Sequence, residues 1–78
     1  MKYIATSDSG LILASISNKA YSSFVRALCY ARYAIQRRAR EYGYDITEGL
    51  AYEVQGKFIV EFIDTFGLIH KLAICEVE

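Results

Sequence analysis

Few residues in this sequence have side chains able to do covalent or acid–base chemistry. His70 is the only histidine, and the thiols are Cys29 and Cys75. A serine or cysteine nucleophile needs a histidine beside it as base and an acid to orient that histidine. Cys75 stands five residues from His70 in a run that reads as one strand, so the two side chains project to opposite faces. Cys29 falls on the flank of a helical run, where a small buried hydrophobe is the plainer reading. Glu61 and Asp64, three residues apart on a strand-like segment, also face opposite ways and form no general acid/base pair. The sequence carries neither a G-x-G-x-x-G nor a G-x-x-x-x-G-K-[ST] phosphate loop, and its five glycines mark turns and a helix end. Without a CxxC or a Cys/His cluster, no zinc ligand set is expected. The reading is a protein with no catalytic residue, no metal and no cofactor, and His70 is a strand residue near an edge or turn.

A second group of residues suits binding. Arg26, Tyr30, Tyr33 and Arg37 recur at helical spacing, with Arg40 at the border of the same face and Lys19, Ser23 and Glu41 completing it. Solvent-facing helix positions usually hold lysine, glutamate and alanine. Tyrosine and arginine are instead the residues enriched in interface hot spots, because both offer large, fairly rigid contact area with polar tips. The alternative is a solvated face on which tyrosines stack against arginines. These five residues, Arg26, Tyr30, Tyr33, Arg37 and Arg40, are the candidate partner-binding set.

The element that must carry them is a helix from Lys19 to about Tyr42. It contains no proline or glycine, Ser17 and Asn18 offer N-cap oxygens, and Gly43 follows where a left-handed C-cap wants it. At about 1.5 Å per residue it would run roughly 36 Å, longer than a strand of six or seven residues, so one end should overhang the sheet. Tyr21, Phe24, Val25, Leu28, Ala31, Ile35, Ala39 and Tyr42 form its apolar stripe. Arg32 projects near the middle of that stripe. It either snorkels to the edge or pairs with Glu53, Glu61 or Asp64; the desolvation penalty of a buried pair favours snorkelling.

The sheet is read from short β-prone runs. Lys2 to Thr6 and Leu11 to Ile16, separated by Ser7-Asp8-Ser9-Gly10, read as a hairpin. Gly43 to Gly49 reads as a loop. Leu50 to Gln55 and Phe58 to Asp64 alternate with period two, with a turn at Gly56-Lys57. A second turn at Thr65-Phe66-Gly67 leads into Leu68 to Val77. The expected fold class is α+β, ββαβββ, with one long helix packed on an antiparallel sheet in a single domain over residues 1–78. If Phe58, Val60 and Phe62 face the helix, Ile59 and Ile63 point away, with Ile4 and Ile69. That leaves an outer patch suited to a partner or to a homodimer, unless the isoleucines are merely scattered among Glu53, Glu61 and Lys71.

The totals fit this plan. The chain is 54% hydrophobic and 23% charged, which is globular rather than disordered. Its net charge is +0, yet Lys19 to Tyr42 holds six basic residues against one acid, while the remainder holds three lysines against eight acids. The molecule is therefore strongly dipolar, while its zero net charge opposes a general nucleic-acid binder. Apolar runs are far short of the roughly twenty residues that span a bilayer. Met1-Lys2-Tyr3 leads straight into a strand-like run with no signal-peptide pattern, and two cysteines allow at most one disulfide. The expected setting is the cytoplasm, with free thiols and no membrane.

In overall plan the chain resembles the small accessory proteins of phages and mobile elements, the anti-CRISPR proteins among them. The shared features are size, one helix on one sheet, no catalytic signature, and a functional surface made of side chains rather than a pocket. The resemblance implies an inhibitor that occupies a surface on a larger host protein or nucleoprotein complex, such as the site where target DNA docks. Many such inhibitors are acidic DNA mimics; this helix departs from that pattern, although the strands are acidic enough to engage a basic surface. The competing readings are a small nucleic-acid-binding protein, with Arg26, Arg37 and Arg40 on phosphates and Tyr30 and Tyr33 on bases, and a structural subunit that only homodimerises.

Overall fold

The computed structural model describes residues 1–77. The elements run β1 (Lys2–Thr6), α1 (Gly10–Ser15), α2 (Phe24–Glu41), β2 (Ile46–Val54), β3 (Lys57–Asp64) and β4 (Ile69–Val77). The four strands form one antiparallel sheet in the order β1-β4-β3-β2, with the long helix α2 on one face. This is the expected α+β class, but the element order is βααβββ.

The difference lies in the expected first hairpin. Leu11 to Ile16 is not a strand: Gly10–Ser15 is helix α1. Its burial follows a helical rather than an alternating pattern, with Leu11, Ile12, Ser15 and Ile16 turned inward and Leu13 and Ala14 exposed. A six-residue apolar run does not distinguish strand from helix by itself. Here Ile12 is fully buried against the sheet, and β1 spends its inner edge on β4 instead of a hairpin partner.

Helix α2 begins five residues later than the expected Lys19. Tyr21 exchanges two backbone hydrogen bonds with Tyr3, at 2.7 and 2.8 Å, which holds this stretch extended along the free edge of β1. Ser23 then provides the N-cap, accepting from the Arg26 N–H, while the Ser17 hydroxyl accepts from the Lys19 N–H. The 18 residues of α2 span about 27 Å. The helix ends as expected at Gly43, φ 72°, with Gly43 N–H bonding Arg40 C=O and Tyr44 N–H bonding Ala39 C=O, the paired bonds of a Schellman stop.

The face that α2 lays on the sheet is built from small residues. Ala27, Ala31, Ile35 and Ala39 are buried, and Phe24 and Leu28 pack at the margin. Val25 and Tyr42, both expected in the stripe, are exposed: Val25 lies in the first turn at the edge of the contact, and Tyr42 is the C-cap residue beyond the last turn. The buried residues of α2 meet Val60, Phe62, Leu72 and Ile74 from β3 and β4, with Ile12 plugging one end. Alanines let the helix approach closely, and Phe62 fills the space between.

Strand β2 starts at Ile46, inside the segment expected as a loop, and carries a bulge between Glu48 and Ala51. Its turn to β3 is Gln55-Gly56, with positive φ at both positions (50° and 78°), as a two-residue hairpin turn requires. The registers place Ile4 opposite Cys75, Ile59 opposite Ala73 and Ile63 opposite Ile69 on the outer face, where none of the described elements covers them. The edge of β1 is occupied at Tyr3, whereas the outer edge of β2 is unpaired among the described residues.

Candidate docking face on helix α2

The Schellman stop and the Ser23 cap fix α2 at both ends, and the alanine face fixes its rotation. Together these aim Arg26, Tyr30, Tyr33 and Arg37 away from the sheet. Tyr30 and Tyr33 are 54% and 62% exposed, well above what a core aromatic shows. Arg37 reaches Glu41 one turn on, at 3.9 Å, an exposed i,i+4 pair of small energetic weight. Arg26 and Arg40 are also exposed.

The structure adds a residue to this set that the sequence assigned to the core. Tyr21, held by its bridge to Tyr3, stacks on Tyr30 with ring centroids 5.2 Å apart and planes 14° from parallel. Lys19 Nζ lies 5.6 Å from the centroid of the Tyr21 ring. A lysine and two stacked tyrosines thus lie beside the part of α2 that carries Arg37. Nothing in the local sequence signals it, because the position of Tyr21 depends on a backbone bridge to the first strand.

Beside the stack, a groove of about 280 Å³ runs between α2 and residues 15–21. Tyr21, Tyr30, Tyr33, Arg37 and Arg38 stand on its rim, and alanines of α2 form its floor. Of the five expected binding residues, Tyr30, Tyr33 and Arg37 line this groove. Arg40 instead borders a separate recess with Gln36, Gly43, Tyr44 and Asp45, and Arg26 lines neither. Arg38 is drawn away from solvent by its own contact, its guanidinium 5.0 Å from the Tyr42 ring centroid.

Arg32 neither snorkels freely nor pairs with Glu53, Glu61 or Asp64. Its Nε and Nη2 donate to the two oxygens of Glu48, at 2.6 and 2.7 Å. That bond keeps the guanidinium charged, raising its pKa above the ordinary value, against a smaller opposing effect of desolvation. The pair is half-buried rather than buried, with side-chain exposures of 43% and 32%.

A second cluster sits at the far end of the sheet. His70, on the helix-facing side at the start of β4, has Ser9 Oγ 2.6 Å from Nδ1 and Asp64 Oδ2 2.8 Å from Nε2. The other Asp64 oxygen accepts from the Phe66 and Leu68 N–H groups. The hydrogen bond from His70 and those backbone bonds hold the Asp64 carboxyl below the usual carboxylate range, opposed by desolvation. His70 does lie near a turn, with Cys75 on the opposite face, but Ser9, 61 residues away in sequence, folds over it. Neither cysteine is in a disulfide, and Cys29 is exposed rather than the expected buried hydrophobe, since its side of α2 faces away from the sheet.

Among the described residues no group of three or more His, Cys, Asp or Glu side chains could hold a metal ion. Among the same residues no helix is long and apolar enough to cross a membrane. No protein-family model, no curated protein and no solved structure matches this chain.

Proposed function

We propose that this chain is a small protein-binding module that docks on a larger partner through the outward face of α2, centred on Tyr21, Tyr30, Tyr33 and Arg37. The observation that carries the reading is exposed Tyr30, stacked on half-buried Tyr21, beside exposed Tyr33 on a helix fixed at both ends. Pre-positioned aromatic rings lose little conformational freedom on binding, so their contact area converts efficiently into affinity. The opposite charge of the helix and the strands orients the encounter with a charged partner. In the form implied by the resemblance to anti-CRISPR proteins, the partner is a host nucleoprotein complex and docking blocks its nucleic-acid site.

An affinity pull-down from host lysate, with and without nuclease, tests this against a variant carrying Arg26→Ala, Tyr30→Ala, Tyr33→Ala and Arg37→Ala. The expected result is a protein recovered in both conditions by the natural chain and lost with the variant. Recovery of the same protein by the variant removes the α2 face from the reading. A salt-dependent gel shift with DNA or RNA, lost on nuclease treatment of the pull-down, replaces the protein partner with a nucleic acid.

A further inference from the structure

We propose that Ser9 is an activated nucleophile, with His70 as its general base and Asp64 as the residue that positions that base, so that Ser9 accepts acyl or phosphonyl groups. The site is separate from the α2 docking face and uses none of its residues.

Three features of the geometry support this. Ser9 occupies the N-cap of α1 with extended backbone (φ −91°, ψ 126°), where a serine hydroxyl ordinarily accepts from the first-turn N–H groups. It makes no such bond, and its hydroxyl lies instead 2.6 Å from His70 Nδ1. Asp64, acting as a carboxylate, can only accept, so in the neutral ring Nε2 carries the proton and Nδ1 presents its lone pair to Ser9. Asp64 is itself fixed by the Phe66 and Leu68 N–H groups, and the His70 and Asp64 side chains are only 16% and 12% exposed, which limits screening by water. Nucleophile, base and orienting acid are thereby linked at hydrogen-bond distances, with the roles of the two ring nitrogens exchanged relative to the familiar serine-protease arrangement.

The reaction that follows is acyl transfer. The Ser9 Oγ–H proton passes to Nδ1 as Oγ bonds the carbonyl carbon of an ester; the ester C–O bond breaks, and the leaving alkoxide takes the proton from His70. Water, deprotonated by the same nitrogen, then hydrolyses the acyl-serine and regenerates the hydroxyl. A recess of about 140 Å³ lined by Leu11, Tyr44, Asp64, Thr65 and Phe66 adjoins the cluster at Asp64. It is the nearest apolar space to the cluster, although neither Ser9 nor His70 lines it.

The test is labelling of the full chain with an alkyl fluorophosphonate, which forms an Oγ–P bond and expels fluoride, read by intact mass and peptide mapping. The expected result is one adduct, on Ser9, absent in Ser9→Ala. In His70→Ala labelling should slow roughly a hundredfold or more, the usual contribution of a general base, and added imidazole should restore part of it. Asp64→Asn should slow labelling and move the His70 ¹⁵N chemical shifts from the Nε2–H toward the Nδ1–H tautomer, a signature that loss of turn structure alone does not give. Circular dichroism on each variant establishes that it is folded. No adduct, an adduct spread equally over Ser7, Ser15 or Ser17, or unchanged labelling in folded His70→Ala would each overturn the assignment.

Discussion

Arg32 on α2 and Glu48 on β2 are joined by two hydrogen bonds, which tie the helix to the edge strand of the sheet beside the buried Ile46. Glu48 stands two residues on from buried Ile46 and opposite inward-facing Phe62, so the strand's alternation aims its carboxylate inward just before the bulge. Because both side chains are partly solvated, the pair contributes modestly. A double-mutant cycle of Arg32→Met and Glu48→Gln, measured by urea denaturation, should give a coupling of about 1 kcal/mol, at the upper end for exposed pairs, and it should shrink in high salt.

Asp64 gives the protein an acid-sensitive contribution. Its folded-state pKa is lowered, chiefly by the hydrogen bond from His70, so the stabilisation is fully present above the ordinary carboxylate pKa and is lost as pH falls through the lowered one. Urea midpoints of the natural chain and Asp64→Asn should therefore differ at about pH 5 and converge as pH falls toward about 2. A constant difference across that window contradicts the assignment.

Two glycines should respond differently to alanine. Gly43 adopts φ 72° at the stop of α2, a conformation disfavoured for a residue with a Cβ, so Gly43→Ala should cost about 1 kcal/mol. A Cβ at Gly49 would meet Ile63 Cδ1 at 3.3 Å, but that is the tip of a half-exposed side chain free to move. Gly49→Ala should change stability by less than about 0.5 kcal/mol, because its chain-entropy benefit offsets the crowding. Thermal melts of both variants check the contrast.

Ile35 and Val25 both belonged to the apolar stripe expected from periodicity, yet the structure separates them. Ile35 is among the most buried side chains, so Ile35→Ala should cost about 2–5 kcal/mol. Val25 is 63% exposed, so Val25→Ala should stay within about 0.5 kcal/mol. Chemical denaturation of the two variants reads the orientation of α2 directly.

What the sequence showed clearly were the features set by local rules. The Gly43 stop, the outward Arg26–Tyr30–Tyr33–Arg37 spacing, the three C-terminal strands and the outward Ile59 and Ile63 all follow from periodicity and turn chemistry. The features it hid depend on contacts between distant segments. Leu11–Ile16 became a helix because β1 found β4, and Tyr21 left the helix because Tyr3 held its backbone. Arg32 found a partner in a segment that read as loop, and Ser9 reached His70 only through the closing of α1 over β4. Short-range pattern carries no information on such pairings.

The two borders of the sheet are unlike, and the difference limits how copies of this protein can associate. Tyr21 occupies the free side of β1 at Tyr3, while the free side of β2 has no strand beside it among the described residues. A contact made by adding strands is thus favoured at β2, and two molecules meeting there head to head would use up the open border of both. Head-to-tail stacking, which requires two receptive borders per molecule, is hindered at one of them by the backbone of Tyr21. The Tyr3–Tyr21 bridge therefore makes the β1 border the less receptive of the two to an added strand.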